Sequence, residues 1–152
     1  MGEPDRAGAP STGVVVPATN AIIVVFKENL PPSCPPSTAI ALSKQILIRL
    51  VPANPATAKD FASYAALGRT CPAGSDPCKW ASCSMFLETA PRENLIGLLR
   101  LPNLRRMKFI ARIAVEPSSG KAEVAQRTGH VSFWMYESYD PVDAIQTLES
   151  FP

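Results

Sequence analysis

Apolar positions fall along this chain in two kinds of pattern, continuous β-branched runs and strict alternation, and both predict strands. Residues 21–27 (AIIVVFK) form a continuous apolar run, the mark of a strand buried on both faces. Residues 45–51 (QILIRLV) have the same strand propensity and stop at Pro52. Residues 38–44 before them predict a short helix, and a single helix across 38–51 is the alternative reading. Residues 80–88 (WASCSMFLE) read as a further strand. From Met107 to Val115, Met107, Phe109, Ala111, Ile113 and Val115 alternate with Lys108, Ile110, Arg112 and Ala114, which predicts a strand with one core face. Pro117, Ser118, Ser119 and Gly120 are turn residues, Gly120 being free to take positive φ. Residues 121–127 are then expected to return as the antiparallel partner. Residues 130–136 (HVSFWMY) are apolar on both faces and predict a central strand.

Helical spacing is clearest over residues 55–67, where Phe61, Tyr64 and Ala65 share a face. Thr57 and Asp60 make a capping-box pair, and Gly68 supplies a stop. Leu95, Leu98 and Leu99 mark a second helix ending before Pro102, and Asp140-Pro141 opens a third with Val142, Ile145 and Leu148 inward. The expected fold is therefore α+β: a mostly antiparallel sheet of about five strands with about three helices packed on it. Residues 1–12 read as a flexible tail and 13–152 as one domain.

Composition narrows the function classes. A net charge of +2 argues against nucleic acid as the partner, and no run approaches the roughly 18 apolar residues of a membrane helix. The first residues lack the order of a secretion signal, so a cytoplasmic location with four reduced cysteines is expected. The 16 prolines cut the chain into short elements, most sharply at residues 31–36 (PPSCPP). The cysteine spacing does not suit zinc: six residues separate Cys71 from Cys78 and four separate Cys78 from Cys83, with Cys34 remote. No metal or resident cofactor is expected.

Candidate chemistry centres on His130, the only histidine. By alternation Ser132, Trp134 and Tyr136 share its face, a stripe more polar than a buried sheet needs. These four residues are the candidate ligand contacts. For a catalytic cysteine, Cys83 with His130 is the pair to consider. Arg100, Arg105, Arg106, Lys108 and Arg112 concentrate positive charge that would suit phosphate or an acidic partner.

Five motifs in order, DFASYAALG (60–68), SMFLET (84–89), KFIARIAV (108–115), GHVSFW (129–134) and DPVDAI (140–145), resemble a scattered group of small uncharacterised bacterial proteins. That resemblance implies no activity. A second likeness is to the ADP-ribosyltransferase superfamily: a strand with Arg49, a strand with Ser84 and a strand ending at Glu137 stand in its order. It implies that Arg49 would hold the phosphates of NAD, Ser84 the nicotinamide side, and Glu137 the ribose. The Ser-Thr-Ser triplet is missing, and Met135 stands where that family has the first residue of its Gln/Glu-x-Glu pair. Two function classes are thus expected: an interaction or regulatory domain with an unknown protein or small-molecule partner, its cleft around the GHVSFW strand, or an NAD-consuming enzyme.

Overall fold

The computed structural model describes residues 24–152. Seven strands form one antiparallel sheet: β1 (Ile40–Ala41), β2 (Gln45–Val51), β3 (Cys83–Leu87), β4 (Phe109–Val115), β5 (Gly120–Ala125), β6 (His130–Met135) and β7 (Ile145–Ser150). Their order across the sheet is β1-β5-β6-β3-β2-β4-β7. Two short α-helices accompany them, α1 (Pro77–Trp80) and α2 (Arg92–Leu98). The expected balance of about five strands and three helices is thus corrected: the described chain is mostly β.

Each departure has a local cause. Over residues 55–67 only a single 3-10 turn forms, Ala58–Phe61. The capping box is present, with the Asp60 carboxylate accepting from the Thr57 N–H at 2.8 Å. The helix fails beyond it because its backbone groups are taken by other partners. The Asp60 carbonyl accepts from Arg49 Nε at 2.8 Å, and the Ser63 N–H donates to the Glu28 carboxylate at 3.0 Å. In a helix those groups would bond four residues along the chain. Asp140 behaves similarly. Its carboxylate accepts from the Val142 and Asp143 N–H groups, but the turn closes at Ala144. The chain then pairs with the free edge of β4 as β7, since a strand edge offers a row of unpaired backbone groups that a lone helix turn does not. Residues 38–44 carry the two-residue strand β1 in place of a helix. Of the run at 21–27, the described part pairs only through Phe26, opposite Tyr136, while Val24 and Val25 are exposed. The tail expected at residues 1–12 lies outside the described residues.

The partner of β4 is also corrected. β5 pairs with β6 and β1, while β4 lies between β2 and β7. β2 matches β4 over seven consecutive pairs, Gln45 with Val115 to Val51 with Phe109, placing apolar side chains against each other on both faces. Gly120, at the turn, is extended rather than left-handed. What requires glycine there is proximity: a Cβ would stand 2.3 Å from the Trp134 carbonyl oxygen.

Alternation divides the core between the two faces. Leu47, Met85, Ile113, Val115, Val131 and Phe133 belong to the first. Ile48, Leu50, Phe86 and Ile110 belong to the second, where α2 contributes Leu95 and the C-terminal end contributes Phe151. The second face is not covered evenly. α2 closes one part of it, and α1 sits over β6, where the Trp134 indole N–H donates to the Cys78 carbonyl at 3.0 Å. No helix among the described residues is long and apolar enough to cross a membrane.

Candidate functional site

Between those two covers the second face stays open. A cleft of about 470 Å³ runs from α1 and residues 59–69 on one side to Leu98, Asn103, Leu104, Arg106 and Met107 on the other. Leu50, Ser84, Phe86 and His130 form part of its lining. The last three are brought together by register, since Phe86 pairs with His130 and Ser84 with Ser132 in the next position but one.

Ser84 and His130 touch. The serine Oγ lies 3.1 Å from the imidazole Nε2. Ser84 is exposed at the sheet surface, and His130 is half-buried beside it. The imidazole also meets the Phe86 ring edge-on at 5.4 Å between centroids. Burial pushes the His130 pKa below its ordinary value, and the positive charge of Lys79 on α1 pushes it the same way. Both influences favour the neutral ring. Gly129 seats it: φ is +78° there, and a Cβ would stand 2.7 Å from the Ala90 Cβ.

Arg49 reaches the cleft by a different route. Its position in β2 alternates with Leu47 and Val51 onto the first face. β2 and β3 pair only at Leu47–Leu87 and Ile48–Phe86, then part. Ser84, two residues from Phe86, turns its carbonyl toward the gap where a β2 partner is missing. Arg49 fills the place: Nη1 donates to the Ser84 carbonyl at 2.7 Å while Nε holds Asp60. Two of the five guanidinium donors are used in this way.

The walls are aromatic and cationic. Tyr64 and Trp80 rings lie 4.8 Å apart, Arg69 stacks over Tyr64 at 4.9 Å, and the Trp80 indole N–H donates to the Arg69 carbonyl. Asn103 donates to the Tyr64 hydroxyl at 2.9 Å and ties the two sides together. Among the described residues, Arg49, Lys59, Arg69, Lys79 and Arg106 line the cleft against two acids, Asp60 and Asp76. Both acids are engaged as caps, Asp76 accepting from the Cys78 N–H at 2.9 Å.

The other sequence candidates stand elsewhere. Trp134 and Ser132 are buried, 1% and 4% exposed, Trp134 under α1. Tyr136 stacks on Phe26 at 5.2 Å. Glu137 follows at the far end of β6 from His130, bonded through its N–H to Val25, and is not part of the cleft lining. Of Arg49, Ser84 and Glu137 the cleft gathers the first two. Cys83 projects from the face opposite His130, buried among apolar groups that raise its thiol pKa, so the residue meeting the histidine is its neighbour Ser84. The expectation of four reduced cysteines is corrected by a Cys34–Cys78 disulfide. The proline-bound loop at 31–36 brings Cys34 beside α1, with the two Cα atoms 5.4 Å apart. Cys71 and Cys83 are free thiols. Of the positive cluster at 100–112, Arg106 lines the cleft, whereas Arg112 pairs with Glu88 and Glu149. No group of three or more metal-ligating side chains occurs among the described residues.

No protein-family model matches the chain, and neither a curated protein nor a solved structure does so.

Proposed function

We propose that the chain is a binding domain for a small anionic ligand with an aromatic or apolar portion. The observation that carries this is the cleft's lining, five cations, of which Lys79 is paired with Glu123 at 3.4 Å, to two already-engaged acids around a space of about 470 Å³. That size suits a small molecule, for which sites run roughly 300–1,000 Å³. Tyr64, Trp80 and Phe86 offer flat apolar surface, and the guanidinium and ammonium groups offer charge-assisted donors. His130 and Ser84 give the floor two further polar contacts. The motif resemblance supplies no activity, so the reading rests on the cleft alone.

The NAD-consuming alternative requires Glu137 in the same cleft as Arg49 and Ser84, and no specific observation favours it. The Cys34–Cys78 disulfide supports an oxidising compartment over the cytoplasm.

The test is a thermal-shift panel of nucleoside phosphates, NAD, aryl phosphates and dicarboxylates on the full chain. Bound ligand raises the melting temperature with its concentration by mass action. At least one member is expected to give a saturable shift that weakens as salt is raised and is lost in a Lys59→Glu, Arg106→Glu double variant. A shift unchanged in that variant, or none across the panel, overturns the proposal.

A further inference from the structure

Burial of the Ser84 hydroxyl does not by itself demand the contact between Ser84 and His130. A buried hydroxyl and imidazole must find partners inside the protein. Ser84 is exposed, and water reaches its hydroxyl, so burial does not force this pair together. The pair nonetheless stands at hydrogen-bond distance, on paired inner strands, within a cleft able to admit a small molecule. We propose that Ser84 is a nucleophile and His130 its general base, and that the cleft hydrolyses esters whose acyl part carries a negative charge.

The substrate class rests on the anionic-ligand reading of the cleft; the nucleophile and base do not. Each role has a structural basis. His130 Nε2, 3.1 Å from Ser84 Oγ, is placed to take its proton. Phe86 meets the ring edge-on at 5.4 Å between centroids. No carboxylate bonds to the imidazole among the described residues, so the pair is a dyad. The lack of that third member lowers the rate without abolishing the chemistry. Arg49, bonded to the main-chain carbonyl of Ser84 at 2.7 Å and part of the same cleft lining, is the cation nearest in the bonding network to offset the negative charge that develops on attack.

In the first half-reaction the Ser84 hydroxyl gives its proton to His130 Nε2 while Oγ bonds to the ester carbonyl carbon. The bond from that carbon to the alcohol oxygen breaks, and the departing oxygen takes the proton from the imidazolium. In the second half-reaction water gives a proton to His130 and its oxygen bonds to the acyl carbon. The bond to Oγ breaks and Oγ recovers the proton. Ester and water become acid and alcohol, and the enzyme is unchanged.

The experiment uses mono-4-nitrophenyl succinate as substrate and a fluorophosphonate as label. The wild-type chain is expected to release 4-nitrophenol above the buffer rate, and to gain one fluorophosphonate adduct by intact mass. Ser84→Ala and His130→Ala should each lower the rate about 100-fold or more, the scale of general-base catalysis. Ser84→Ala should also lose the adduct while keeping the wild-type far-UV circular dichroism, which shows that it is folded. Wild-type protein that succinate stabilises but that neither hydrolyses the ester nor takes the label overturns the dyad and leaves the binding reading standing. A label that persists in Ser84→Ala overturns it equally. Labelling at Ser84 without stabilisation by succinate keeps the dyad and removes the anionic substrate class instead.

Discussion

At the scale of single residues, one step along a strand separates the expected chemistry from the observed chemistry. The sequence points to His130, and the structure puts it in the cleft. It points to Cys83 as a catalytic partner, whereas side-chain alternation sends Cys83 to the opposite face and gives the contact to Ser84. Knowing that Phe86 pairs with His130 would have been enough to find it, but cross-strand register is not written in either strand alone. The ADP-ribosyltransferase likeness named Arg49 together with Ser84, but its route was hidden, since it gains the cleft through the gap where β2 and β3 part. The lone histidine makes a clean measurement possible. Facing it are Ser84 and Phe86 from β3 and the Lys79 ammonium from α1, with Arg49 and Arg106 in the same lining. Its pKa by NMR titration is expected below 6.5, and Lys79→Ala should raise it while leaving the larger effect of burial. The stability consequence has a definite sign. A histidine whose folded pKa is depressed favours folding above its unfolded value near 6.5, and that contribution is lost as pH falls through the folded value. Acidification from pH 7.5 to pH 5 should therefore cost the wild type more stability than His130→Gln. An equal loss in both would show that the histidine is not the group responsible.

At the scale of elements, strands were legible, and of the three expected helices only the one marked by Leu95 and Leu98 formed, as α2. β2 runs over the residues its apolar pattern marks out, and β4 over all but the first two of its predicted positions. The helix expected at 55–67 and the one after Asp140 both reduce to a turn, because tertiary partners capture the backbone groups that a helix needs. α1 is a single turn of four residues, too short to persist on propensity alone. Three ties hold it: the Asp76 cap, the Trp134 indole on the Cys78 carbonyl, and the disulfide from Cys78 to Cys34. Because α1 carries Lys79 and Trp80 into the cleft, its position and the cleft's shape are one problem. The disulfide closes a loop of 44 residues, for which the chain-entropy relation gives about 4 kcal/mol, at the top of the usual range of about 2–4 kcal/mol. Cys34→Ser should lower urea stability by that order. Thiol titration of the unfolded wild type without reductant should find the two free cysteines, Cys71 and Cys83. Four reactive thiols would remove the tie.

At the scale of the whole molecule, strand order is the property that local pattern conceals most completely. The turn at 117–120 suggests a hairpin between β4 and β5, yet the two strands end up separated by β2, β3 and β6. That order gives β2 a partner on each side and lets it contribute to both cores, Leu47 to one face and Ile48 to the other. Two clusters that share β2, β3 and β4 should unfold together, in one transition. The same order sets the relative cost of core substitutions. Phe109 begins β4 opposite Val51 and Ser150, is only half-buried, and packs at the margin of the first core. Ile113 stands in mid-strand opposite Leu47 and Ile145 and is 0% exposed. Removing its side chain leaves a cavity that surrounding strands cannot close, so Ile113→Ala should cost about 2–5 kcal/mol by urea denaturation. Full burial of a phenylalanine would make Phe109→Ala the more costly change, at about 3–5 kcal/mol. At the margin, part of that surface is already in water in the folded state and neighbours can relax into the space. Phe109→Ala is therefore expected to cost less than Ile113→Ala, although it deletes more carbon. The reverse order, with both variants keeping the wild-type m-value, would place Phe109 in the centre of the core and overturn the register of β4 between β2 and β7.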